Sequence, residues 1–208
     1  MCSAALSEDG ALLAFKETGG EYSHAENLTL FIQDVCNSAG RKPEEIQAVA
    51  VSKGPGSYTG LRIGVSVAKG FCYARGIPLI GINTLQALEK ALPHNGEGLR
   101  CPMLDARRME VYCAVYDEKG RELHPAAAKI IEAGSFSELL EKQKVFFFGD
   151  GAVKCKSILD HPNATFIEDI LPSARHMIAL SDQAFRERRF EDVAYFEPAY
   201  LKEFYTGK

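Results

Sequence analysis

The sequence predicts an α/β protein built from two copies of one strand-rich unit. Apolar runs of strand length alternate with helix-period segments along the chain. The opening stretch Cys2-Ser3-Ala4-Ala5-Leu6-Ser7-Glu8-Asp9-Gly10 parallels Cys113-Ala114-Val115-Tyr116-Asp117-Glu118-Lys119-Gly120, and each copy precedes a second strand and then a helix. A strand ending in Asp105 precedes the second copy. A matching strand is expected ahead of the first copy, before Met1, so the first strand of that unit is expected to be missing from the sequence. Two such three-strand-plus-helix units make the duplicated ribonuclease-H-like architecture of the actin, Hsp70 and sugar-kinase class, with mixed sheets. The N-terminal lobe is expected over residues 1–95 and the C-terminal lobe over 96–208.

In chain order, Asp9-Gly10 between two apolar stretches, 2–7 and 11–17, is a hairpin signal. Ser23-His24-Ala25-Glu26 is a capping box that opens a helix. Its apolar face is Leu28, Phe31, Ile32, Val35, Cys36 and Ala39, and Gly40 ends it. Ile46 to Val51 reads as a buried strand, Pro78 to Ile82 as another, and Thr84 to Leu92 as a helix. The turn-rich stretch 93–98 marks the boundary between lobes. Strands follow at 100–104, 110–116, 121–131 and 144–148. A helix with a Ser135/Glu138 capping box is expected over 135–142, a second helix up to Leu159, and a long one over 173–188.

Between the strand at 46–51 and the rest of its lobe lies Gly54-Pro55-Gly56-Ser57-Tyr58-Thr59-Gly60-Leu61-Arg62-Ile63-Gly64. Three glycines and a proline in its first seven residues dictate the backbone tightly. Thr59 is the expected cap of the following helix. That helix has one narrow polar line, Arg62, Ser66, Lys69 and Tyr73, and is otherwise apolar or tiny, as in a helix buried nearly all round. Gly60, Gly64, Ala68 and Cys72 recur every four residues and would let another helix approach closely. A phosphate cradle of the Walker type is not supported, because Leu61 and Arg62, not lysine, follow Gly60.

Composition narrows the function. The 208 residues are 46% hydrophobic and 25% charged, as in an ordinary globular protein, and the net charge is −4. An acidic chain without a lysine or arginine cluster argues against gripping tRNA or DNA on its own. Six cysteines lie scattered without a C-x-x-C pair, which reads as buried thiols of a cytosolic protein. No apolar run approaches the roughly 18 residues that span a membrane.

The Gly54–Gly64 stretch resembles the hallmark of the bacterial TsaB (YeaZ) family of tRNA threonylcarbamoyladenosine biosynthesis. His24-Ala25-Glu26-Asn27-Leu28 resembles that family's H-S-E-x-L helix start. Leu104-Asp105-Ala106-Arg107-Arg108-Met109-Glu110-Val111-Tyr112 is similar to its I-D-A-R-R-G-E-V-Y, with Met109 where glycine is usual. Gly149-Asp150-Gly151-Ala152 and Pro198-Ala199-Tyr200-Leu201 match later landmarks. Together these cover nearly the whole chain in order. The family's opening strand and Asp-Thr-Ser-Thr-like loop do not appear in the sequence.

The resemblance implies a non-catalytic paralogue that supports a TsaD-type transferase, with a TsaE-type ATPase completing the assembly. The product is threonylcarbamoyladenosine beside the anticodon of tRNAs reading codons that begin with A. It implies tRNA contact only within the complex, no cofactor of its own, any ATP or ADP seated at the complex interface, a homodimer when alone, and a cytoplasmic location. The implied docking face is Leu28, Phe31, Ile32 and Val35 on the first helix with Gly60, Ile63, Gly64, Val67, Ala68 and Phe71 on the glycine-stripe helix. TsaD-type metal binding uses two histidines four apart on the first helix; here Leu28 follows His24, so no metal is expected there. Asp105 and Asp150 stand at strand ends and read as turn or cap residues, while Asp105, Arg107 and Arg108 are candidate contacts for a phosphate or a partner. The alternative is an autonomous ATPase or hydrolase of the actin/kinase class; a third, a tRNA-binding module, sits poorly with the charge.

Overall fold

The computed structural model describes residues 1–19, 24–93 and 97–202. The Ser23 capping box and the 94–96 turn lie outside them. The chain divides into two compact units, one of residues 1–87 and 172–199, the other of 88–171 and 200–208. The sequence reading puts the division at 95/96 and leaves the tail with the second lobe. The difference has a packing cause: the last helix buries its apolar face in the first unit.

In the first unit, β1 (Cys2–Glu8) and β2 (Ala11–Thr18) form an antiparallel hairpin. Asp9 and Gly10 turn it with φ of 50° and 79°, as a two-residue turn with both centres left-handed requires. Helix α1 (His24–Ser38) packs on both strands. β3 (Val49–Gly54) runs parallel to β4 (Leu79–Asn83), and the crossover between them is α2 (Tyr58–Arg75). The β3 strand thus begins three residues later than its apolar run and continues into the glycine loop.

β4 is covered on both faces. Leu79 turns toward α2 and packs with Val51, Val65, Ala68, Cys72 and Phe196. Ile80 and Ile82 turn the other way, onto Leu180 and Ala184 of α5 (Ile178–Arg186). Each buried aliphatic side chain of this strand contributes roughly 2 kcal/mol of transfer free energy. The expected long helix over 173–188 is a 3-10 turn, Ala174–Met177, followed by α5. Helix α3 (Thr84–Glu89) is shorter than its apolar pattern, and Asn83 caps it by accepting from the N–H groups of Leu85 and Gln86 at 2.9 and 3.2 Å.

The second unit holds one five-stranded mixed sheet in the order β7-β6-β5-β8-β9. Its strands are β5 (Leu99–Asp105), β6 (Glu110–Tyr116), β7 (Glu122–Ile130), β8 (Val145–Phe148) and β9 (Ala164–Ile167). β5 lies at the centre, antiparallel to β6 and parallel to β8, and is buried from Leu99 to Leu104. The core gathers Cys101, Met103, Val111, Val145, Phe147 and Cys155. Helix α4 covers only Ser137–Leu140; Ser135 accepts from Glu132 N–H instead of capping, so the expected box does not form. The helix expected up to Leu159 is a 3-10 turn at Val153–Cys155. β9 has no counterpart in the sequence reading, because four residues after Pro162-Asn163 are too few to show a period.

Candidate functional site

The Gly54–Gly60 loop is held by its own first turn and by the tail. Ser57 is the cap: its hydroxyl accepts from Gly60 N–H at 3.3 Å, and Thr59 is already the second, exposed residue of α2. This corrects the assignment of Thr59, which lies two residues past the cap position, inside the first turn. Gly54 is buried with φ +110°, and a Cβ there would lie 2.5 Å from the Ala199 carbonyl. Ala199 N–H donates to the Lys53 carbonyl at 2.7 Å, so the tail seats against the loop. Pro55 follows Gly54 through a cis peptide bond and is buried, while Gly56 is half-buried. The Arg62 guanidinium stacks 4.8 Å over the Tyr58 ring.

The small-residue stripe of α2 faces inward. Ala68 and Cys72 are 5% and 1% exposed within the core, and a Cβ on Gly64 would lie 3.6 Å from Val51 of β3. The stripe brings the helix close to its own sheet, so Ala68 is not available to a partner. Phe31 and Val35, at 8% and 4%, are likewise committed to the core, which removes them from the expected docking face. Gly60 meets only its own cap residue, Ser57.

What stays accessible is a row one helical turn apart, Ile63, Val67 and Phe71, each half-buried, with Leu28 and Ile32 half-buried on α1. α1 and α2 pack against each other. Leu30, which the sequence reading did not single out, and Tyr73 are 55% and 85% exposed. Tyr73 lies on the polar line read from the sequence, and its exposure agrees with that. Lys69, from the same line, instead donates to the carbonyls of Ala194 and Phe196 at 3.0 Å each and pins the tail.

The second cluster forms where β5 ends. Asp105 accepts from Arg107 N–H at 2.8 Å and is paired with Lys154. Lys154 also donates to the carbonyls of Arg108 and Glu110, both at 2.7 Å. Asp150 accepts from Asp105 N–H at 3.1 Å. Arg107 and Arg108 adopt φ of 69° and 49° at the turn, and both side chains are exposed. The structure therefore brings Asp105, Asp150 and both arginine backbones together, and Lys154 is the organising cation. Nothing in sequence spacing points to Lys154, 49 residues away from Asp105. Loss of hydration is the largest effect on the Asp150 carboxyl and raises its pKa; the Asp105 N–H opposes this and the Asp105 charge adds to it. The Asp105–Lys154 pair and the backbone N–H groups that donate to Asp105 and Asp150 hold this turn. Among the described residues no group of three or more His, Cys, Asp or Glu is placed to hold a metal ion.

Residues 20–204 match the family model described as TsaD, tRNA N6-adenosine threonylcarbamoyltransferase. Two curated relatives are each described as tRNA threonylcarbamoyladenosine biosynthesis protein TsaB. That of Bacillus subtilis strain 168 is 30% identical, over 95% of this chain and 88% of its own length. That of Escherichia coli strain K12 is 29% identical, over 97% and 90%. The chain belongs to the TsaB (YeaZ) family. A crystal structure from Pseudomonas aeruginosa, described as an uncharacterized protein with similarity to peptidase YEAZ, superposes with a TM-score of 0.84 at 26% identity, covering 97% of this chain and 94% of that one. The match to the TsaD model over most of the chain fits a paralogue of TsaD and the duplicated ribonuclease-H-like fold class.

Proposed function

We propose that the chain serves tRNA threonylcarbamoyladenosine biosynthesis as a non-catalytic subunit that docks on a TsaD-type transferase through α1 and α2. The observation that carries this reading is the apolar row Ile63, Val67 and Phe71 beside Leu28 and Ile32, which the chain's own core covers only in part. Family membership supplies the pathway. The same face pairs with itself when the partner is absent. The net charge of −4 fits tRNA contact only within the assembly, which a TsaE-type ATPase completes. ATP or ADP belongs to the interface of that assembly. The proposed place of action is the cytoplasm; no described helix is long and apolar enough to cross a membrane.

The test is co-expression with the TsaD-type partner, followed by size exclusion and a tRNA modification assay. Val67→Asp and Phe71→Asp put a charge on the accessible row. Both are expected to elute as folded protein without the partner and to lose modification by at least about tenfold, the effect of roughly 1.4 kcal/mol. Ala68→Arg is no substitute, since its site is core. Co-elution of both variants with the partner would sink the interface. ATP turnover by the chain alone, lost in Asp105→Ala or Asp150→Ala, would replace this reading with the autonomous hydrolase.

A further inference from the structure

The core of the second unit holds three free thiols, and they share one cluster. Met103 of β5 pairs with Cys113 of β6, and Arg100 pairs with Tyr116. That register puts Cys101 opposite Val115, two residues along from Cys113 and on the same face of the sheet. Cys101 and Cys113 are therefore diagonal neighbours on adjacent strands. Cys155, from the 3-10 turn at Val153–Cys155, packs into the same core. Cys101 and Cys155 have no exposed surface, and Cys113 keeps 5%.

The three sulfurs use their protons differently. Cys155 donates to the Gly151 carbonyl at 3.2 Å, and burial raises its pKa. The Cys101 thiol donates to Cys113. That hydrogen bond is the largest effect on the Cys113 thiol and lowers its pKa; burial opposes it and the Lys129 charge reinforces it. Cys101 moves the other way, well above the ordinary thiol range, through burial first and then the same hydrogen bond. Lys129 belongs to the same face of the sheet. It pairs with Val111 while Ala127 lies opposite Cys113, so Lys129 and Cys113 are diagonal neighbours too. The Lys129 ammonium lies 4.8 Å over the Phe136 ring, which packs against this core. Burial also raises the pKa of Cys2, Cys36 and Cys72, so Cys113 alone among the six cysteines is held in the opposite direction.

We infer that Cys113 and Cys101 form a thiol oxidation site, with Cys113 as the attacking sulfur, Cys101 as the resolving one and a small hydroperoxide as the oxidant. In the first step the Cys113 thiolate attacks the outer peroxide oxygen. A sulfur–oxygen bond forms and the oxygen–oxygen bond breaks. The sulfur gives up two electrons to the peroxide, and the departing oxygen takes the proton that Cys113 has lost. In the second step the Cys101 sulfur attacks the Cys113 sulfenic acid. The disulfide forms, and hydroxide leaves with the Cys101 proton as water. Cys155 is the poorer resolving thiol, because its hydrogen is committed to the Gly151 carbonyl. Diagonal positions stand farther apart than directly opposite ones, so the bridge draws β5 and β6 together and is readily reversed by thiols. The narrow opening at Cys113 suits a small oxidant over a bulky one.

The test treats the folded, reduced chain with a small excess of hydrogen peroxide, then denatures it, blocks the remaining thiols with a maleimide and maps every cysteine by mass. The expected product carries a Cys101–Cys113 crosslink, leaves Cys155 free and returns to the dithiol on addition of a thiol reductant. Cys113 is expected to react at least about tenfold faster than Cys155. Cys101→Ser is expected to stop at the sulfenic acid, which a dione probe traps on Cys113. Cys113→Ser and Cys113→Ala, each checked for folding by circular dichroism, are expected to lose the crosslink and to leave Cys101 and Cys155 unoxidised. Equal rates at the three cysteines, or a crosslink to Cys155, would overturn the inference. So would oxidation no faster than the opening of the second unit, read from amide exchange in β5, because the thiols would then react only in the opened chain.

Discussion

Replacing Glu89 by leucine should unfold the second unit at markedly lower temperature. Glu89 closes α3 with no exposed surface, and its carboxylate meets Arg100 Nε at 3.2 Å and Lys90 Nζ at 3.0 Å. The Arg100 side chain, on central strand β5, is 4% exposed. Its guanidinium also donates to the carbonyls of Glu89, at 3.3 Å, and Leu92. Burial pushes the Arg100 pKa below its ordinary value, and the Glu89 carboxylate opposes that shift. Glu89→Leu removes the anion and leaves the cation buried, which costs about 3–5 kcal/mol. At this chain length one kilocalorie moves Tm by about 2–4 °C, so the expected fall is roughly 6–20 °C by circular dichroism or calorimetry. Arg100→Met should cost a similar amount by taking the Arg100 cation from a buried carboxylate, with Lys90 offsetting part of it. The double variant Glu89→Leu/Arg100→Met removes both charges and should recover about 2 kcal/mol or more against the sum of the single losses. Additive losses, or a Glu89→Leu variant within about 1 kcal/mol of the parent, would refute the account, because each charge would then be satisfied without the other.

Two glycines should respond in opposite directions. Gly149→Ala places a Cβ 2.2 Å from the Met103 carbonyl at φ +104° and should cost more than about 3 kcal/mol; Gly70→Ala meets nothing within 4 Å on an exposed helix face and should gain about 1 kcal/mol in urea melts. A tolerated Gly149→Ala, or a loss at Gly70, contradicts the reading of either site. His176 contributes to the acid limb of stability. Burial and then Arg175 lower its pKa below 6.5, with Glu17 opposing, so the folded state favours the neutral ring. Stability attributable to it is full above pH 6.5 and is lost as pH falls below that toward the lowered folded value. His176→Gln should flatten that part of the pH–stability curve, and an unchanged slope would show that the ring is not responsible.

Much of the fold is legible in the sequence because its signals are local. Asp9-Gly10 makes the predicted hairpin, and the apolar runs at 79–82, 100–104 and 145–148 are strands. Local signals fail where tertiary packing decides. The helix patterns over 84–92 and 173–188 come out shorter: the first ends at Glu89, which is paired with Arg100, and the second becomes a 3-10 turn before a helix that begins at the buried Ile178. The return of 172–199 to the first unit is invisible to a linear reading, as is Lys154 at the Asp105 turn. At the candidate site the residue types were legible and their directions were not. A helix apolar nearly all round does not say which row its own sheet will claim.

That question decides how α2 is understood. Small residues every four positions suit close approach by any neighbour, and here the neighbour is β3: Gly64 faces Val51, and Ala68 and Cys72 share its core. A helix drawn so near its sheet, with the chain's tail pinned to it through Lys69, is held firmly in place. In the proposed docking, the Ile63, Val67 and Phe71 row rides on a helix already fixed, which would leave a partner little backbone ordering to offset. In the proposed docking, the small residues act indirectly, by fixing the helix that carries the accessible row. Gly64→Leu should accordingly weaken partner binding by displacing α2 from β3, although residue 64 itself faces away from the row.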